Sequence, residues 1–231
     1  MSNINNILQR LRLNLGIKGF LTNNPIVQAV VRNVFTPNRL KLPAVQLTDI
    51  AEQGGAVSIR ILPLNLWDTP YDDVVALCAI ARKVKPRRIL EIGTARGRTT
   101  LLLSDNCPDA EVITYDIDPN AGSYFKSLNP LSTKIRSVIC DFQSDASRLK
   151  EGEKFDFIFI DANHGESAAK GDSELAFALL ATGGAIAWHD YCNSDYLFGY
   201  NRVPEVLSDF ALKRKIYGVI GTNLAVFHST E

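Results

Sequence analysis

The last two apolar runs of the chain, KIYGVI (215–220) and LAVFH (224–228), are separated only by Gly221, Thr222 and Asn223. A linker that short closes a hairpin, whereas a parallel crossover takes about a dozen residues or more, so these two strands must be antiparallel neighbours. Upstream, the pattern is different. The runs RRILEI (87–92), EVITYD (111–116), KIRSVIC (134–140), FDFIFID (155–161) and GAIAWHD (184–190) alternate with stretches of helical character at 97–105, 120–128, 143–150, 165–181 and 203–213. Strands rich in Ile, Val and Phe with helices between them make a parallel sheet covered on both faces. The expected fold is therefore α/β and doubly wound: a mostly parallel, seven-stranded, Rossmann-like sheet with an antiparallel last strand, plus an N-terminal helical extension.

The extension is residues 1–68 and the main domain residues 69–231. Ile4, Ile7, Leu8, Leu11 and Leu15 recur at helical spacing, and Pro25 opens a second candidate helix with Ile26, Val27, Val30, Val31 and Val34. AVSIRIL (56–62) has the composition of a strand. These pieces suit packing on the main domain, contacts in a homodimer, or a lid over a substrate. Asp68 and Thr69 stand as N-caps, with Pro70 in the first turn of the helix YDDVVALCAIARKVK, which Pro86 stops.

Composition excludes several classes. Lys+Arg 25 and Asp+Glu 25 cancel, where a nucleic-acid binder carries a basic excess. The longest uncharged stretch, Leu175 to Trp188, falls short of the roughly 20 apolar residues of a membrane span. Cys78, Cys107, Cys140 and Cys192 form no CxxC pair, so zinc and redox sites are not expected, and dispersed thiols suit a cytoplasmic protein. The opening MSNINNILQRLRLNLGIKGF lacks a signal-peptide pattern, which also fits the cytoplasm.

In a parallel α/β sheet, ligands sit outside the carboxyl ends of the strands. The first such end reads Glu91-Ile92-Gly93-Thr94-Ala95-Arg96-Gly97-Arg98-Thr99. Its two glycines permit a tight turn, and the following helix offers free N–H groups. The third glycine of a dinucleotide fingerprint is missing, which argues against a nicotinamide-dependent dehydrogenase, and no Gly-Lys-Ser/Thr of a P-loop follows. Glu91 instead suits a ligand bearing an ammonium. The next strand ends in Asp116-Ile117-Asp118-Pro119, where an acid can accept both hydroxyls of a ribose. The third ends in Cys140-Asp141-Phe142, where Asp141 can accept from an exocyclic amine and Phe142 can cover a ring face. The fourth ends in Asp161-Ala162-Asn163-His164. Carboxylates at corresponding ends of successive strands are hard to explain as ordinary surface.

ExGxxxG at Glu91, Gly93 and Gly97, the DxDP beginning at Asp116, the Cys140-Asp141-Phe142 segment and FDFIFIDANH (155–164) together resemble a class I S-adenosylmethionine-dependent methyltransferase. The likeness runs over about residues 68–228, and FIDANH with WHDY is most similar to small-molecule O-methyltransferases, some of which tailor sugars and antibiotics. The resemblance implies S-adenosylmethionine as cofactor. It implies Gly93 and Gly97 at the methionine moiety with Glu91 beneath, and Thr94 and Thr99 in the loop. It also implies Asp116 at the ribose, with Ile117 beside it, and Asp141 with Phe142 at the adenine. The implied partner is a small-molecule acceptor.

Asp161, His164, His189 and Asp190 lie at the ends of neighbouring strands and are the candidate catalytic set. Two chemistries are open. In metal-dependent relatives carboxylates at these strand ends hold Mg, and Asp161 and Asp190 match them, although Tyr191 follows where the catechol type has Asn; a divalent metal such as Mg or Mn is one expectation. The other is a histidine base, His164 or His189, oriented by an aspartate. A plainer arrangement has His189 capping a buried network and His164 facing solvent. A methyltransferase-like fold serving metal-dependent, hydroxylase-like tailoring, or non-catalytic binding of S-adenosylmethionine, is the alternative function.

Overall fold

The computed structural model describes residues 42–52, 54–63, 68–127, 134–145, 153–192 and 200–229. The candidate helices of residues 4–34 fall outside them. The elements in chain order are β1 (Ala44–Val45), α1 (Leu47–Ile50), α2 (Tyr71–Val84), β2 (Arg88–Ile92), α3 (Arg98–Asn106), β3 (Glu111–Asp116), α4 (Ser123–Ser127) and β4 (Ile135–Ile139). They continue with α5 (Phe142–Asp145), β5 (Phe155–Ile160), α6 (Glu166–Leu179), β6 (Leu180–Trp188), α7 (Val203–Ala211), β7 (Ile216–Val219) and β8 (Ala225–His228).

α2 shows how the local sequence decides. Val74, Leu77, Cys78, Ile80 and Ala81 give one buried face, Asp72 and Asp73 complement the positive N-terminal end, and Arg82 and Lys83 the negative end. The helix ends on Lys85 in the left-handed region (φ 54°), just before Pro86. Neither Asp68 nor Thr69 caps it. Pro70 holds the N-cap position without a side-chain bond, and the Thr69 hydroxyl turns instead to Thr99 and Asp161.

The described sheet has the order β1-β7-β8-β6-β5-β2-β3-β4. The pairs β5–β6, β5–β2, β2–β3, β3–β4 and β1–β7 are parallel, while β8 runs antiparallel to both β6 and β7. The hairpin predicted from Gly221–Asn223 is present, with Ile216 opposite Phe227. Alternate strand residues feed two cores, one on each face. Ile89, Val112, Phe157 and Phe159 pack under α2 and α3; Leu90, Ile113, Ile158 and Trp188 pack under α6 and α7. From β2 the chain steps outward to β3 and β4, then returns to β5 on the other side, which opens a cleft at the carboxyl end of β2.

Two expectations need correction. The sheet has eight strands among the described residues, because Pro43 to Val45 add a short edge: the Pro43 carbonyl accepts from Gly218 N–H at 2.9 Å and the Val45 carbonyl from Ile220 N–H at 3.1 Å. Residues 56–62 are not a strand. Side chains of α3 satisfy that backbone instead: Asn106 pairs with both the N–H and the C=O of Ser58, at 2.8 and 2.9 Å, and Arg98 Nε donates to the Ile61 carbonyl at 3.1 Å.

Candidate active site

The loop after β2 is shaped by backbone. Gly93 has φ 101°, and a Cβ there would stand 2.0 Å from the Asp161 carbonyl oxygen, so this glycine lets the loop press on the end of β5. Gly97, at φ 78°, leaves room for the Phe125 ring, which a Cβ would meet at 2.5 Å. Both glycines therefore answer to protein neighbours. Between them Ala95 is left-handed (φ 44°) and its N–H donates to Asp116 Oδ2 at 2.7 Å, while Asp118 N–H donates to Asp116 Oδ1 at 2.8 Å. Asp116 thus ties the end of β3 to the loop.

The predicted cofactor residues divide into two groups. Asp116, Ile117 and Asp141 lie at accessible strand ends; Ile117 is 75% exposed, and Asp141 accepts from Ser144 Oγ at 2.7 Å. Glu91, Thr94, Thr99 and Phe142 are buried. Glu91 Oε2 accepts from Thr114 at 2.6 Å and from Thr100, and Thr94 meets the Thr114 hydroxyl at 2.6 Å, so this carboxyl braces the loop from below. Burial pushes Glu91 up to about 8, against the opposing pull of the two threonine hydroxyls, with Asp161 and Asp116 adding to the rise. Phe142 packs edge-on against Tyr115, ring centroids 5.3 Å apart, and its side chain belongs to the core.

The candidate catalytic set converges at the ends of β5 and β6. His164 Nε2 lies 2.7 Å from Asp190 Oδ2. His189 is buried, with Nδ1 3.2 Å from Asp161 Oδ1 and 3.3 Å from Asp190 Oδ1. Burial draws both imidazoles down, but the charges and hydrogen bonds of the neighbouring carboxylates prevail: His164 is raised and His189 raised well above its ordinary value. Burial alone would raise Asp190; His189, then His164, hold it well below the usual carboxylate range. Asp190 adopts φ 59°, a region few non-glycine residues visit, and the Asn201 side chain grips its carbonyl at 2.5 Å. Trp188, just before, donates Nε1 to Ser173 Oγ at 3.0 Å inside the core.

Asp161, His164 and Asp190 each offer one ligand atom, and these lie within 4.8 Å of one another. Two carboxylates and an imidazole, two of them already 2.7 Å apart, fit a divalent cation of the Mn or Zn kind better than Mg. Sequence reasoning missed Asp73, which bonds His189 from α2, and Asn223, which bonds Asp73 from the β7–β8 turn. The available signal was Asp73 itself, an acid on the same helical stripe as Leu77 and Ile80.

Residues 90–191 match a family model described as a methyltransferase domain. No curated protein matches the chain. Among solved structures, the chain is similar to an O-methyltransferase from Bacillus cereus in complex with S-adenosylhomocysteine, at 20% identity and a TM-score of 0.58, covering 73% of this chain and 84% of that one. It is also similar to the O-methyltransferase TomG from Streptomyces achromogenes, involved in tomaymycin synthesis and in complex with S-adenosylmethionine, at 18% identity and a TM-score of 0.56, covering 87% and 96%. A third is a methyltransferase from Podospora anserina bound to S-adenosylhomocysteine, at 19% identity and a TM-score of 0.56, covering 68% and 77%.

Proposed function

We propose, for a chain whose residues 90–191 belong to a methyltransferase domain and whose sheet is that of the class I S-adenosylmethionine-dependent enzymes, that it methylates an oxygen of a small molecule. The observation that carries this is the contact of Gly93 with the Asp161 carbonyl: the loop suited to the donor and the corner suited to the acceptor share one wall. S-Adenosylmethionine supplies a methyl group on a sulfonium, which an acceptor oxygen displaces in line. Asp116 and Asp141 are the residues to hold its ribose and adenine, with Ile117 covering a ring face, while Glu91, Thr94 and Thr99 keep the loop in shape around Gly93 and Gly97. Phe142 serves through its backbone, since its side chain packs on Tyr115. The protein's task is alignment.

Asp190 holds His164 at Nε2, which leaves Nδ1 to take the acceptor's proton as the methyl moves. A second reading rests on the donor atoms of Asp161, His164 and Asp190, which would hold a divalent cation; it would polarise the acceptor hydroxyl. No helix among the described residues is long and apolar enough to cross a membrane, and no described cysteine is joined in a disulfide, in keeping with a cytoplasmic enzyme. The N-terminal segment is our candidate for homodimer or acceptor contacts.

Calorimetry with S-adenosylhomocysteine tests the donor site. Binding that is weakened about 10- to 100-fold in Asp116→Ala supports it, and no binding by the wild type overturns it in favour of the tailoring or non-catalytic alternative. Titration with Mn²⁺, in the wild type and in Asp161→Ala, separates the base from the cation.

A further inference from the structure

Asp73 takes no part in the chemistry above, yet it is a fully buried carboxylate beside that corner, 0% exposed. Removing a charge from water is costly unless its lone pairs find donors. Asp73 finds three. Oδ1 accepts from Asn223 N–H at 2.8 Å, and Oδ2 accepts from Asn223 Nδ2 at 2.9 Å and from His189 Nε2 at 3.0 Å. A carboxylate only accepts, so the hydrogen in the last contact sits on Nε2. The opposite ring nitrogen then faces Asp161 and Asp190, and the ring cannot turn without breaking contacts on both sides.

A second route joins the same residues. The Asn223 carbonyl accepts from Tyr191 N–H at 2.9 Å, directly after the left-handed Asp190. Asp73 therefore reaches the corner once through the His189 ring and once through the Asn223 backbone.

We infer that Asp73 is a positioning residue of the methyl-transfer site: from α2 it locks the His189 ring and the 189–191 backbone, fixing how Asp161 and Asp190 are presented to the acceptor. This rests on the methyl-transfer reading. If Asp73 served only to fasten the β7–β8 turn to α2, its loss would leave the Nδ1 side of the ring, which faces Asp161 and Asp190, unchanged.

The test is long-range ¹H–¹⁵N spectroscopy of the histidine rings in the full chain, alongside calorimetry with S-adenosylhomocysteine. In the wild type the His189 Nε2 proton should be protected from exchange. In Asp73→Asn its exchange should quicken by at least about tenfold and the Nδ1 signal should move, because one hydrogen-bonded barrier to opening is gone. Ring signals identical to the wild type would overturn the inference. Should Asp73→Asn fail to fold, Asn223→Ala removes one donor to Asp73 while keeping the backbone N–H; a shifted Nε2 signal supports the inference and an unmoved one overturns it. A wild type that does not bind S-adenosylhomocysteine would sink the methyl-transfer reading and leave the ring result standing.

Discussion

The two halves of the cleft are held by different means. On the side of β2, β3 and β4, backbone does the shaping: Gly93, Ala95 and Gly97 take positive φ, and the Asp116 carboxylate is bound by main-chain N–H groups. On the side of β5 and β6, ionisable side chains from α2 and both strand ends hold one another, with Asn223 of the β7–β8 turn donating to Asp73. Fixed dipoles need no protons to keep their shape, whereas a charged network depends on them. Glu91 is the exception, a buried carboxyl beneath the backbone-built half.

The harshest way to break this contrast is Gly93→Ala, which drives a Cβ into the Asp161 backbone where the halves touch. Neither backbone can withdraw, so the expected loss consumes most of the roughly 5–15 kcal/mol of a typical domain, and little folded protein should be recovered. Normal urea unfolding of this variant would show that the halves are not in register.

The next test is pH. Glu91 titrates near 8 in the fold against 4.5 as its ordinary value, so it favours the folded state below 4.5 and loses that contribution as pH rises through 8. His189, also raised, contributes fully below 6.5 and loses it on the alkaline side. Asp190, lowered, contributes above 3.8 and loses its part in acid. Stability should therefore fall from pH 5 towards 9. Glu91→Gln should abolish a loss of up to about 5 kcal/mol across 4.5 to 8, leaving the histidine part. Urea midpoints across that range check it, and an unchanged slope would remove Glu91 as an exception.

Asp116→Ala should weaken binding of S-adenosylhomocysteine by about 10- to 100-fold, the size of one or two hydrogen bonds to a charged group, with less effect on the His164–Asp190 corner. Calorimetry reads it directly. The smallest effect belongs outside both halves: Arg60→Ala removes a partly exposed ion pair with Asp105 at 2.9 Å and should cost no more than about 1 kcal/mol in unfolding free energy.

Much of this was legible in the chain. The antiparallel ending followed from the length of the Gly221–Asn223 link, and the strands followed from apolar runs between helices, because both are local constraints. The convergence of Asp161, His164, His189 and Asp190 followed from their places at neighbouring strand ends. Orientation was not legible. Phe142 stands where a ring face was expected and turns into the core, and Gly97 makes room for Phe125. AVSIRIL has the residues of a strand, but Asn106 and Arg98 of α3 take up its backbone groups in place of a neighbouring strand. Asp73 showed only as an acid on a buried helical stripe; its partners lie 116 and 150 residues away, beyond any periodicity.

That last separation has a consequence for assembly. While a ribosome has yet to deliver Asn223, Asp73 lacks two of its three donors, and the backbone after Asp190 lacks the carbonyl that fastens Tyr191. A nascent chain could stack β2 to β6 and still present a slack corner, so competence for chemistry would arrive with the closing hairpin, late and all at once.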